Sequence, residues 1–211
     1  MKPVKRDARQ EKGAQTRTRI LDAAYTLFCE RGYRATTMQD IADRAGVAVQ
    51  TTYFSFRTKD GLLQAVHDRT VLGEDGLPPE RQPWYAQAIA APAIDDAVTT
   101  LVAGVAGILA RVAPMLPVFE SVSADPAGAV FRRGEELRRD GFSELITLLA
   151  RTAPLQPGMS HTHAVDLLLV LLGPPLYRSL VIESGWAEHE WAAWVTATLL
   201  RDLFGRAVPP S

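Results

Sequence analysis

Residues 36–59 read TTMQDIADRAGVAVQTTYFSFRTK, and the way this stretch divides decides the fold. Met38, Ile41, Ala42 and Ala45 fall on one face of a helix, with Gln39, Asp43 and Arg44 on the other. Thr37 precedes that helix and Asp40 follows three residues later, the spacing of a capping box. Gly46 breaks the helix, and Val47 plugs the angle to a second short helix over about 48–55. That second helix carries Val49, Gln50, Thr51 and Tyr53, with Tyr53 and Phe56 for bulk. Helix, glycine turn, helix at this spacing is the layout of a helix-turn-helix, whose second helix can enter a DNA major groove.

Working outward, a helix from about Gln15 places Ile20, Ala23, Ala24, Leu27, Phe28 and Arg31 on a buried face and ends at Gly32. Cys29 lies beside Phe28 and reads as a small buried thiol, a redox role requiring exposure and a depressed pKa. Residues 1–12, MKPVKRDARQEK, have no apolar period and read as a basic flexible arm over 1–14. Such an arm either reaches phosphates and a minor groove or is a tail with weak nonspecific attraction. The helix-turn-helix domain is expected over 15–60. A connecting helix over 61–72 then shows Leu62, Leu63, Val66, His67 and Thr70 on one face.

Charge is divided unevenly. The first 60 residues hold twelve Lys/Arg against seven Asp/Glu, a net of +5, on a chain whose formal net charge is −1. A basic first quarter on an acidic remainder suits an end that faces a polyanion, although a solvated tail has the same composition. Apolar residues make up 47% of the 211, enough for a buried core. A single cysteine excludes an internal disulfide framework and fits a reducing, cytoplasmic compartment. The N-terminus has no signal-peptide pattern. The longest apolar run, Leu167 to Leu176, is half of what a membrane span needs, so no membrane partner is expected.

The stretch AGVAVQTTYFSFRTKDGLL, together with GYRATTMQDIA upstream, resembles the recognition segment of the TetR family of bacterial repressors. The matching positions are Ala45, Gly46, Val47, Thr51, Tyr53, Phe56, Lys59, Leu62 and Leu63, and the likeness covers about residues 15–70. The chain departs from the family's pattern at two positions. Ala48 stands where a serine usually caps the recognition helix, and Thr52 where an aliphatic residue is typical. The resemblance implies base contacts from Gln39, Val49, Gln50 and Thr51, and phosphate contacts from Thr37, Tyr53 and Lys59. Phe54 either flanks a phosphate or packs. The side-chain chemistry is compatible with these roles: a glutamine pairs bidentately with adenine, a methyl group touches thymine, and hydroxyl and ammonium groups suit phosphate.

Beyond the Gly- and Pro-rich segment 73–83, the span 73–211 reads as a second, all-helical domain. Helices are expected over 84–90, 94–112, from about 126 to 150, from 161, and over the last Trp-rich stretch. Leu137 and Trp194 are among the positions expected to point inward. Gly173-Pro174-Pro175 should interrupt the helix from 161. The fold class is therefore all-α: a three-helix helix-turn-helix domain plus a C-terminal helical bundle, about nine helices in total. The resemblance implies a homodimer through about 161–183 and 188–205, and a small-molecule ligand in the bundle. Trp84, Tyr85, Phe119, Phe142 and Tyr177 are candidate ligand contacts, or plain core. His67 either senses the position of the second domain or is an ordinary buried histidine. His161 and His163, with Asp166 nearby, are too few and too close for a metal site. No cofactor is expected, and no nucleophile, metal set or phosphate loop supports an enzyme. The expected function is a DNA-binding regulator of double-stranded DNA, released by its ligand. A ligand-independent regulator or activator acting through protein partners is the alternative.

Overall fold

A computed structural model describes residues 4–206. It is all-α, with no strand among the described residues. Counting each proline-interrupted run as one, there are nine helices among those residues: α1 (Val4–Ala35), α2 (Met38–Ala45), α3 (Val49–Phe56), α4 (Lys59–Leu72), α5 (Pro83–Ala90), α6 (Ile94–Ser121), α7 (Ala129–Leu149), α8 (His161–Glu183) and α9 (Glu188–Phe204). Short 3-10 turns at Pro79–Arg81 and Pro126–Gly128 precede α5 and α7.

The chain forms two compact units. The first comprises Met1–Arg69 and Pro117–Phe131; the second comprises Thr70–Leu116 and Arg132–Ser211. The span 73–211 is thus not one body: residues 117–131 cluster with the N-terminal helices. The reason is apolar and ionic. Phe119 is fully buried, meets the edge of His67 at 5.3 Å and stacks on Phe131 at 5.3 Å, and Asp125 pairs with Arg34 at 3.1 Å.

In the first unit, α1 begins at Val4 rather than near Gln15, so residues 4–14 are helical and not an irregular arm. Residues 1–3 lie outside those described. The apolar stripe that marks burial starts only at Ile20, but Lys, Arg, Gln, Glu and Ala are good helix formers without a buried face. Regular α1 breaks at Gly32, whose φ of 78° is open to glycine at little cost. Cys29 is exposed, contrary to the buried reading, because it lies one residue round the helix from the buried Phe28. Arg31 is also exposed. Leu62, Leu63, Val66, His67 and Thr70 of α4 are all buried.

The second unit is built on α6. Ala97, Val98, Leu101, Val102, Val105 and Leu109 of α6 pack in one core with Leu145, Ile146, Leu168, Trp191, Val195 and Leu199. Pro114 and Pro117 do not end α6; the path narrows to a 3-10 turn over Ala113–Met115 and continues. In α8, Ser160 caps the start and Gly173 breaks the turn, after which the helix resumes and widens to a π-helix over Arg178–Glu183. The Gly173 N–H turns to Val170 O at 3.2 Å, and the freed Leu169 carbonyl takes Arg138 Nη1 at 3.0 Å. Leu137 and Trp194, expected inside, are 55% and 41% exposed. Each sits at the edge of its apolar stripe, where spacing does not separate core from rim.

Continuity through these breaks makes α6 and α8 long and apolar enough, by length and composition, to cross a membrane. A core helix passes the same test, and the buried side of each packs in the core just described.

α5 packs along α6, and Trp84 makes the closest approach described there. A Cβ on Gly104 would stand 2.1 Å from the Trp84 indole, so the ring rests on bare backbone. Gly104→Ala should lower stability by about 1–2 kcal/mol, the overpacking cost exceeding the helix gain of alanine. Denaturant unfolding checks this; an increase in midpoint would mean that Trp84 does not sit on Gly104.

Candidate nucleic-acid interface

The helix-turn-helix is built by local chemistry at each of its corners. Thr37 Oγ1 accepts the Asp40 N–H at 3.1 Å while Asp40 accepts the Thr37 N–H at 2.8 Å, completing the capping box. The Thr37 hydroxyl, which also donates to Asp40 Oδ2 at 2.6 Å, and then the Thr37 N–H hold the Asp40 carboxyl below its ordinary pKa. At the far end of α2, Gly46 adopts φ 66° and ψ 42°. The Gly46 N–H bonds Asp43 O at 3.2 Å and the Val47 N–H bonds Ala42 O at 3.0 Å, a Schellman closure.

α3 is less well held by its own residues. Ala48 occupies its N-cap with no side-chain hydrogen bond. Thr52 is fully buried and its hydroxyl has no hydrogen-bond partner among the described residues. Past its end, Arg57 takes φ 63° and Thr58 N–H bonds Phe56 O at 2.7 Å. This is a γ-turn of the strained hand, unusual for a residue with a Cβ.

Tertiary contacts supply what the local signals lack. Arg17 donates to Ser55 O at 3.2 Å and lies 4.3 Å over the Phe56 ring, joining α1 to α3. Arg44 forks onto Glu30 at 3.0 and 3.3 Å, joining α1 to α2. Arg69 meets Asp22 at 2.9 Å and Thr18 O at 3.2 Å, joining α1 to α4.

The sequence-derived residues are placed as follows. Gln50, Tyr53 and Phe54 project from α3, Tyr53 at 50% and Phe54 at 91% exposure. That exposure removes the packing alternative for Phe54. Val49 and Thr51 are half-buried on the same helix. Thr37 and Gln39 are exposed on the α2 side, Gln39 donating to Asp43 at 2.7 Å. Lys59 is different. Its ammonium is half-buried and donates to Tyr33 O at 2.8 Å and Thr36 O at 2.9 Å, within 4.1 Å of the Tyr33 ring centroid.

An open cleft of about 490 Å³ runs between α1 and α3, lined by Lys12, Gly13, Thr16, Arg17, Thr51, Phe54 and Ser55. The α1 residues of this wall were not found in the sequence. Lys12 and Thr16 are four apart on one helical face, a signal visible once the helix is known to begin at Val4.

Residues 20–66 match the sequence profile of the bacterial regulatory proteins of the tetR family. The helix-turn-helix domain is that of the TetR family. A regulator of Bacillus subtilis, YvkB, is 47% identical over 51 residues, which is 24% of this chain and 27% of that protein. The repressor KstR2 of Rhodococcus jostii is 48% identical over 50 residues, 24% of each chain. The chain spans about a quarter of the length of the curated relatives it matches. A transcriptional regulator from Saccharomonospora viridis, solved in complex with choline, shares the fold over 92% of this chain and all of its own, at 17% identity and a TM-score of 0.70.

The candidate ligand contacts divide between the units. Phe119 belongs to the first, fully buried and stacked as described. Trp84, Tyr85, Phe142 and Tyr177 belong to the second. Trp84 and Tyr85 meet edge-on at 5.9 Å and are half-buried. Tyr177 is buried, bonds Glu188 at 2.6 Å and meets Trp191 at 5.0 Å; burial is the main reason its phenol titrates above the ordinary value. Among the described residues no group of three or more metal-ligating side chains gathers. His161 Nε2 lies 3.1 Å from Ser143 O, and Asp166 pairs with Arg139 at 2.9 Å.

Two substitutions test the reading of α3. Ala48→Ser should raise stability by about 1 kcal/mol through the missing cap, with the preferred DNA bases unchanged. Altered base preference would mean that α3 begins elsewhere. Thr52→Val should also raise stability by about 1 kcal/mol, seen as a higher unfolding midpoint, by removing an unsatisfied buried hydroxyl. A lower midpoint would show that the hydroxyl has a partner.

Proposed function

We propose that this chain is a cytoplasmic, homodimeric TetR-family repressor that binds a pseudo-palindromic operator and is released by a small molecule. The observation that carries the DNA half is the outward face of α3. A helix that merely packed would not leave Phe54 at 91% and Tyr53 at 50% exposure beside an exposed Gln50. In this reading Gln50, with Val49, Thr51 and Gln39, meets base edges, while Thr37, Tyr53, Lys59, Phe54 and the Lys12–Thr16 wall of the cleft meet the sugar-phosphate backbone. The helical segment 4–14 is the basic element that reaches along the duplex, residues 15–60 read it, and 61–72 connect to the ligand-binding and dimerisation residues from 73 onward.

Dimerisation through α8 and α9 is supported by what those segments leave in solvent. Val170 is 62% exposed, Ile182 43%, Trp186 37% and Trp194 41%, the two tryptophans meeting edge-on at 6.2 Å. An apolar set of this size is more than scattered surface residues require. For the ligand, Trp84 and Tyr85 are the leading contacts, with Phe142 and Tyr177 behind them. The fold relative bound to choline shows that a chain of this fold can hold a small molecule. Release follows from linkage: a ligand that prefers a conformation with misplaced recognition helices lowers DNA affinity by the same factor that DNA lowers its own.

The test is selection of bound duplexes from a random DNA pool, followed by affinity measurements across a salt series. The logarithm of affinity should fall linearly with the logarithm of salt, by about 0.9 per phosphate contact. Gln50→Ala should cost about 1–3 kcal/mol at one base position and leave the others unchanged. Retention that ignores salt, or no retention, would refute the reading.

A further inference from the structure

We infer that Asp43 is a positioning residue for base recognition: it holds the Gln39 amide with its oxygen turned outward, so that Gln39 takes adenine and rejects guanine. The inference rests on the DNA-binding reading above and names the base that one of its residues selects. Gln39 and Asp43 stand four apart on α2, both exposed, on one face of the helix. Gln39 Nε2 donates to Asp43 Oδ1 at 2.7 Å. A carboxylate accepts and cannot donate, so the amide nitrogen faces Asp43 and the amide oxygen faces away from it. The adjacent cation, Arg44, does not compete for Asp43, because it forks onto Glu30 at 3.0 and 3.3 Å. Gln50 on α3 is also exposed, but its amide has no hydrogen bond among the described residues and turns freely to suit a base. The two glutamines of the recognition set are therefore not equivalent.

Base chemistry turns that orientation into a preference. Adenine presents N7 as an acceptor and its N6 amino group as a donor to the major groove, whereas guanine presents two acceptors, N7 and O6. An outward amide oxygen accepts from the adenine amino group, and the second amide N–H remains for N7. Against guanine the same oxygen meets O6, acceptor to acceptor. A glutamine that nothing holds turns over and offers its N–H groups to guanine instead. Beside Asp43 that turn sets the amide oxygen against the carboxylate. In the free protein a surface pair of this kind is weakly held. Against a duplex, with water excluded, both the bond and the repulsion that replaces it are stronger.

The test uses the full-length protein and a duplex enriched from the random pool. Gln39→Ala locates the base pair that Gln39 reads, as the pair whose preference it abolishes, and that pair should be A·T. Wild type should bind this duplex about tenfold more tightly than one with G·C in its place, the purine staying on its strand. Asp43→Ala should lower that ratio to about threefold or less, while Asp43→Glu, which accepts the same N–H, should keep it near about tenfold. Removing a carboxylate near phosphates changes affinity for both duplexes alike and cancels in the ratio, so a structural or purely electrostatic role leaves the ratio where it was. Replacing the adenine by purine, which lacks the amino group and keeps N7, should weaken wild type and leave Gln39→Ala unaffected. An unchanged ratio in Asp43→Ala overturns the proposal. So does a Gln39→Ala that abolishes no preference, a wild type that binds G·C as tightly as A·T at that pair, or a purine substitution that costs wild type nothing. Both side chains are exposed, and circular dichroism should show every variant folded at the assay temperature. Failure of wild type to bind any duplex would refute the DNA-binding reading, and this proposal with it, which is a different result from an unchanged ratio.

Discussion

The end of α1 is the constraint on which the DNA-binding unit depends. A helix leaves its last carbonyls without intrahelical donors, and here that end lies inside the unit. Thr36 is fully buried and serves Leu27 O and Gly32 O; Lys59 serves Tyr33 O and Thr36 O. Leaving such groups unsatisfied costs about 1–3 kcal/mol each when buried, so the arrangement of these two side chains is held firmly. Thr37 then opens α2 with no intervening slack. The direction of α2 is inherited from the end of α1, and α3 follows across the Gly46 turn.

α1 is also the element to which the other three helices are fastened. Arg17, Glu30, and Asp22 with the Thr18 carbonyl each take one neighbour: α3, α2 and α4 in turn. Individually, exposed ion pairs of this kind contribute little, up to about 1 kcal/mol. Their value is geometric, added to the burial of Ile20, Ala24, Leu27, Phe28, Ile41, Leu62 and Leu63.

What was legible in the sequence was legible where chemistry is local. The Thr37–Asp40 box, the Gly46 closure and the Ile94–Val112 helix depend on neighbours within a few residues, and spacing alone declares them. The first turns of α1 were hidden because periodicity detects burial, and residues 4–14 have helix propensity without an apolar stripe. Cys29, Leu137 and Trp194 lie at stripe edges, where one residue of rotation separates core from solvent. The site divides the same way. The outward residues of α3 follow from motif spacing, but the partners of Lys59 lie 23 and 26 residues upstream. No spacing rule reaches that far, and neither the Lys12–Thr16 wall nor the Trp84 ring on Gly104 could be read without coordinates.

Three departures from good local design gather on α3: an uncapped start at Ala48, a buried hydroxyl without a partner at Thr52, and a strained γ-turn at Arg57. Eight residues are too few for a helix to persist in water on its own, even with ideal ends. α3 therefore owes its existence to Phe56 and Thr52 packed inside the unit and to Arg17 at its end. The consequence is that this helix has little independent rigidity, and its orientation is set by the elements that grip it. Local repairs to α3 should raise stability without redirecting it. Its direction is set instead at the grip, where Lys59 and Thr36 close the end of α1. That separation of stability from direction is what a helix needs if it is to be moved by events elsewhere in its own unit without unfolding.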